Sequence, residues 1–99
     1  MMHQFNQTMD YLEQQLTGEV DMKRFQQLSG YSYPLFSRIF SIMADMTLAE
    51  YLRNRRLSEA VMDLRESTEK VINIAMKYGY ENWLYIRKFM KFLLPVVQK

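Results

Sequence analysis

The sequence has no cysteine, one histidine, three glycines, two prolines and no apolar run long enough to span a bilayer. Each shortage excludes something. Without cysteine there is no disulfide framework and no thiolate metal site, which fits a reducing cytosol. His3 stands alone near the N-terminus, with no second imidazole or thiol to share a metal, and reads as a surface residue. So few glycines and prolines disfavour an all-β fold, which needs many tight turns. The start, Met1-Met2-His3-Gln4, leads into a polar amphipathic run, which is unlike a secretion leader, and no segment suits a transmembrane helix. A cytoplasmic location is expected. Nor is there a large excess of one charge: 13 Lys and Arg face 11 Asp and Glu, a net +2. That bias is too small to identify a polyanion binder, so the placement of the cations decides. The acidic residues lie scattered at helix caps and on helix faces. No carboxylate pair, no nucleophile beside a base and no glycine-rich phosphate loop is visible, so neither an enzyme nor a cofactor is expected. The nine methionines read as flexible core filler.

What remains is helical throughout. Phe5, Met9, Leu12 and Leu16 recur at helical spacing, and Gly18 is placed to stop that helix in a left-handed conformation. Asp21 can cap a helix over about 22–29 that turns Phe25 and Leu28 inward and ends at Gly30. Gly30-Tyr31-Ser32 is a tight turn. Ser32 is an N-cap, and Pro34 in the first turn loses nothing by lacking an N–H. The third helix has Leu35, Phe36, Ile39, Phe40 and Met43 on its apolar side, with Ser37, Arg38 and Ser41 opposite. Thr47-Leu48-Ala49-Glu50 is a capping box that opens a long helix to about residue 64. Ser67 or Thr68 can cap the next helix, where Val71, Ile74, Ala75 and Tyr78 form one face. Gly79-Tyr80 makes a second turn, Asn82 can cap a last helix from Trp83 to Leu94, and Pro95 closes it.

The two turns repeat each other. Gly30-Tyr31 through Leu35, Arg38 and Phe40 aligns without a gap with Gly79-Tyr80 through Leu84, Arg87 and Phe89, and Phe36 meets Tyr85. Each copy follows a short amphipathic helix, so the plan is helix, glycine turn, helix, twice over. A helix held across another in this way can enter the major groove while the first braces the backbone. Two copies joined by a rigid helix could reach adjacent major-groove segments on one face of DNA.

The chain resembles the DNA-binding domain of the AraC/XylS family of transcription regulators from about Met9 to Lys91. The resemblance rests on Gly30-Tyr31-Ser32, on 36–40 (Phe-Ser-Arg-Ile-Phe), on 48–60 with its Tyr51-Leu52-Arg53 and Arg55-Arg56-Leu57, and on 70–81 with Tyr78-Gly79-Tyr80. It implies an all-α, homeodomain-like fold of six to seven helices in two helix-turn-helix subdomains. These would occupy 1–46 and 66–99, joined by a linker helix over 47–65. It implies a bacterial cytoplasmic regulator that binds promoter DNA and meets RNA polymerase. Family proteins usually carry an effector or dimerisation domain, for which 99 residues leave no room. The subtype with an N-terminal DNA-binding domain fits best. Either its effector domain is missing through truncation, or the chain is a stand-alone regulator. Three departures stand out. Asp45 replaces a turn glycine. The last helix matches the family either with Tyr85, Arg87 and Phe89 after a one-residue deletion, or with Ile86, Lys88 and Met90 without one. Its ending, Phe92 to Val97, is apolar and unlike the family's.

Carried over residue by residue, the base-facing positions of the first unit are Pro34, Ser37 and Arg38. Arg38 is the leading candidate, able to hold guanine through two hydrogen bonds; the alternative is a solvated or ion-paired surface arginine. Ser37 is a shorter base or phosphate contact. Pro34 has no N–H to donate. Tyr33 reaches phosphate or packs at the turn, and Ser32 is a cap that can also meet phosphate. In the second unit Arg87 stays on the DNA side in either register, with Lys88 and Lys91 as phosphate candidates. Asn82 is at the cap, while Trp83 and Leu84 stand where polar readers are expected. Arg53, Arg55 and Arg56 cannot share one helix face; at least one should pair with Glu59 or Glu50. The competing function is a helical interaction module with impaired DNA binding, self-associating through the apolar segment from Trp83 to Val97.

Overall fold

A computed structural model describes residues 2–66, 68, 70–80, 84 and 87–91. Five helices are delimited: α1 (Met2–Gln14), α2 (Met22–Ser29), α3 (Tyr33–Ala44), α4 (Leu48–Glu66) and α5 (Val71–Lys77). Residues 84 and 87–91 are helical as well, and no strand occurs among the described residues. The fold is all-α. No described helix is long and apolar enough to cross a membrane. The chain divides into two compact units, Met1–Leu52 and Arg53–Lys99, with the boundary inside α4.

The first unit closes on Leu12, Leu16, Phe25, Phe36, Phe40, Leu48 and Leu52, flanked by Phe5, Met9 and Tyr51. These are the apolar stripes of its helices, spaced three or four residues apart so that each stripe faces inward. Phe25 sits at the centre, fully buried. Its ring meets Phe36 edge-on with centroids 5.0 Å apart and Tyr33 at 5.2 Å. Thr8 is buried too, and its hydroxyl donates to the Gln4 carbonyl at 2.8 Å. α1 ends differently from expectation. Gly18 is not left-handed; among the described residues the positive-φ positions are Gly30, Asp45 and Gly79. The Gln15 N–H is instead shared between the Tyr11 and Leu12 carbonyls, and the Gly18 N–H donates to the Gln15 carbonyl. Tightened bonds of this kind satisfy helix-end carbonyls without a glycine cap.

The other expected caps of this unit form. The Asp21 carboxylate accepts the N–H groups of Lys23 and Arg24, and the Tyr11 hydroxyl accepts that of Asp21. Ser32 caps α3 with Pro34 in its first turn, and Asp45 ends it at φ 57 in the place of a glycine. The Thr47 hydroxyl accepts the Glu50 N–H at 3.0 Å.

The second unit closes on Ala60, Val61, Ile74, Ala75, Tyr78 and Phe89, with Leu57, Leu64 and Tyr80 against them. Its capping differs from expectation. Lys70 is the N-cap of α5 and makes no side-chain cap bond. Thr68 lies two residues short of it and Ser67 falls outside the described residues. The Lys70 carbonyl accepts the N–H groups of Asn73 and Ile74. This seven-residue helix is held by tertiary packing of Ile74 and Ala75, as short helices must be.

Candidate nucleic-acid interface

The placement of α3 begins at the turn before it. Ser29 is buried at the end of α2; its hydroxyl donates to the Tyr31 carbonyl and accepts the Tyr31 N–H. Gly30 ends α2 at φ 78, donating its N–H to the Gln26 carbonyl. A side chain here would be strained by that φ. Ser32 then accepts the Leu35 N–H, and α3 departs with Phe36 and Phe40 inward. α2 packs on both α1 and α3.

The opposite face of α3 carries Pro34, Leu35, Arg38 and Ile42, all exposed. Arg38 has no hydrogen-bond or ion-pair partner among the described residues. It lines a shallow open groove with Tyr33, Ser37, Ser41, Ile42, Thr47 and Ala49. No carboxylate lines that groove. Ser37 is half-buried, and its Oγ is shielded from solvent without a hydrogen-bond partner. The Ser41 hydroxyl donates to the Ser37 carbonyl. Tyr33 is half-buried at the turn against Phe25, while Ser32 and Pro34 are exposed. Among the groove residues that escaped the sequence reading are Ile42, 83% exposed, and Thr47, read only as a cap. The signal for Ile42 was present. It follows Arg38 by four residues and lies off the Phe36–Phe40 stripe.

The second unit has the same local plan. Gly79 is left-handed at φ 92, as Gly30 is, and Phe89 is fully buried as its counterpart Phe40 is buried. The Phe89 ring packs on Tyr80 at 4.8 Å, whereas Met90 is exposed. The buried aromatic therefore selects the register of the internal repeat. Arg87, Lys88 and Lys91 are exposed, and Leu84 is 67% exposed. Asn82 and Trp83 lie outside the described residues, as does most of the segment from Trp83 to Val97.

In the same unit, Asp63 of α4 accepts hydrogen bonds from the Lys77 ammonium at 2.9 Å and the Tyr78 hydroxyl at 2.7 Å. Those two donors hold the Asp63 carboxyl below its ordinary 3.8. Burial, then the bond to Asp63, pushes the Tyr78 hydroxyl well above the usual tyrosine range. Burial also raises Tyr80, against the pull of Arg56 and Arg53. Arg55 pairs with Glu59 at 3.0 Å, so one of Arg53, Arg55 and Arg56 is an ion-pair partner, as expected.

The chain is similar to several bacterial proteins. It is 34% identical to the probable transcription factor PqrA of Proteus vulgaris over 88 residues, 87% of this chain and 72% of that protein. It is 33% identical to the HTH-type transcriptional activator AarP of Providencia stuartii over 86 residues, 87% of this chain and 64% of AarP. It is 30% identical to the multiple antibiotic resistance protein MarA of Escherichia coli over 74 residues, 75% of this chain and 58% of MarA. The chain thus spans under two thirds of the length of MarA. No family model matches it, and no solved structure matches.

Proposed function

This chain belongs to the AraC/XylS family of transcription regulators, and from that premise we propose that it is a sequence-specific regulator that binds duplex DNA. α3 is its first reading helix, placed in the major groove with Arg38 on a guanine edge. One observation carries this reading: among the described residues Arg38 has no partner, and it stands on the exposed face of a helix that a left-handed glycine turn sets off from α2. An arginine with all its donors open suits the paired acceptors of guanine. Arg87, Lys88 and Lys91 supply the second unit's contacts in a neighbouring groove segment, with Arg87 at the position equivalent to Arg38. The cytoplasm is its proposed location, and promoter-bound RNA polymerase its further partner. The apolar surface at Leu84 and Met90 favours a second reading, in which the C-terminal segment pairs two copies; sedimentation of the free chain as a strict monomer would remove it.

The test is selection from a random duplex pool with the purified chain, then titration of the recovered site at two salt concentrations. Wild type should recover one motif and bind it more weakly at higher salt, because phosphate contacts release counterions. Arg38→Ala should lose roughly 1–3 kcal/mol on that motif. Failure to enrich any motif contradicts the proposal.

A further inference from the structure

Ile42 is the most exposed large apolar residue among those described, at 83%. An isoleucine so exposed leaves its apolar surface open to a partner, and covering it would be favourable. Its surroundings point to the kind of partner. It shares the open groove with Arg38, Ser41 and Thr47, and no carboxylate lines that groove. The Thr47 hydroxyl accepts the Glu50 N–H, which leaves its own proton for an outside acceptor. A cation and the Thr47 hydroxyl beside one apolar side chain suit a polyanion that carries a small apolar group. In the major groove that group is the 5-methyl of thymine.

The internal repeat sharpens the point. In the register selected by Phe40 and Phe89, the counterpart of Ile42 is Lys91, also exposed. The same slot therefore looks outward in both units, with a cation in one and isoleucine in the other. We infer that Ile42 is a specificity-determining residue that selects a thymine through its methyl group, close to the guanine held by Arg38. This rests on the duplex-DNA reading above. The spacing is suitable: four helical residues advance about 6 Å, or about two base-pair steps. Reading from beyond the first turn of a recognition helix has precedent in homeodomains, where contacts spread along the helix.

The experiment uses the full chain and the duplex recovered by selection. Each thymine is replaced singly by deoxyuridine, which removes the methyl group and nothing else. Wild type and Ile42→Ala are titrated against every duplex. At one thymine within about two base pairs of the guanine that Arg38→Ala ceases to discriminate, wild type should lose roughly fourfold in affinity, the change for one methyl group losing an apolar partner. Ile42→Ala should lose nothing there, and Ile42→Val should keep most of the wild-type penalty. Equal penalties in wild type and Ile42→Ala at every thymine overturn the inference while leaving DNA binding intact. So does unchanged affinity of Ile42→Ala for the unmodified duplex, which would give the surface to a protein partner instead. A selection that recovers no motif overturns the parent reading, and this inference with it. Because Ile42 is outside the core, the melting curve of Ile42→Ala should match wild type.

Discussion

At the scale of single residues, the described interface divides into side chains that build α3 and side chains that face outward from it. Phe25, Phe36 and Phe40 are core, and Phe25 has no exposed surface. Phe25→Ala should cost about 3–5 kcal/mol, the range for emptying an aromatic core site, read from chemical denaturation. Gly30 tests conformation alone. A Cβ there would meet no atom within 4 Å, so Gly30→Ala adds no clash. Its φ of 78 still imposes the left-handed cost, about 1–2 kcal/mol, and denaturation should show a loss of that size. Ser37 is the residue where sequence and structure part most. The pattern placed it opposite the apolar stripe, but its hydroxyl is shielded and unpartnered. Wheel position does not reveal which way a small side chain turns at the edge of a stripe.

At the scale of elements, most of the fold was legible because the caps are written locally. Asp21, Ser32, Asp45 and Thr47 each stand where a helix begins or ends, and each does so in the structure. Thr47→Ala should destabilise α4 by about 1 kcal/mol in thermal unfolding, since it leaves the Glu50 N–H without its partner. Gly18 and Thr68 were misleading for one reason. A residue suited to a cap is used only if the chain needs it, and tightened turns or tertiary packing met those needs instead. α5 is also tied to α4 by the contacts of Asp63 with Lys77 and Tyr78, long-range pairings that no local pattern announces. They predict a pH dependence. The Asp63 carboxyl is lowered in the folded state, so its stabilisation is present above the ordinary 3.8 and fades as pH falls through the folded value. Melting temperature should therefore drop less steeply between pH 5 and 3 in Asp63→Asn than in wild type.

At the scale of the molecule, two compact units repeat one local plan with different surfaces. The first presents Arg38 beside Leu35 and Ile42; the second presents Arg87 with Lys88 and Lys91. The repeat could be read from the sequence by aligning Gly30 with Gly79, but its register at the last helix was open there. Burial of Phe89 and exposure of Met90 closed it, because burial is a property of the packed unit rather than of the local pattern. On the proposed DNA-binding reading the contrast divides the units' tasks: exposed lysines suit phosphate without discriminating sequence, whereas an arginine beside an isoleucine suits base edges.

On the proposed function, Arg38 reads a guanine from α3. Its most direct measurement pairs wild type and Arg38→Ala with the selected duplex in which that guanine is exchanged for 7-deazaguanine, which lacks the N7 acceptor in the major groove. The exchange should weaken wild type severalfold and leave Arg38→Ala unchanged. Equal weakening of both proteins, at every guanine of the site, would contradict it.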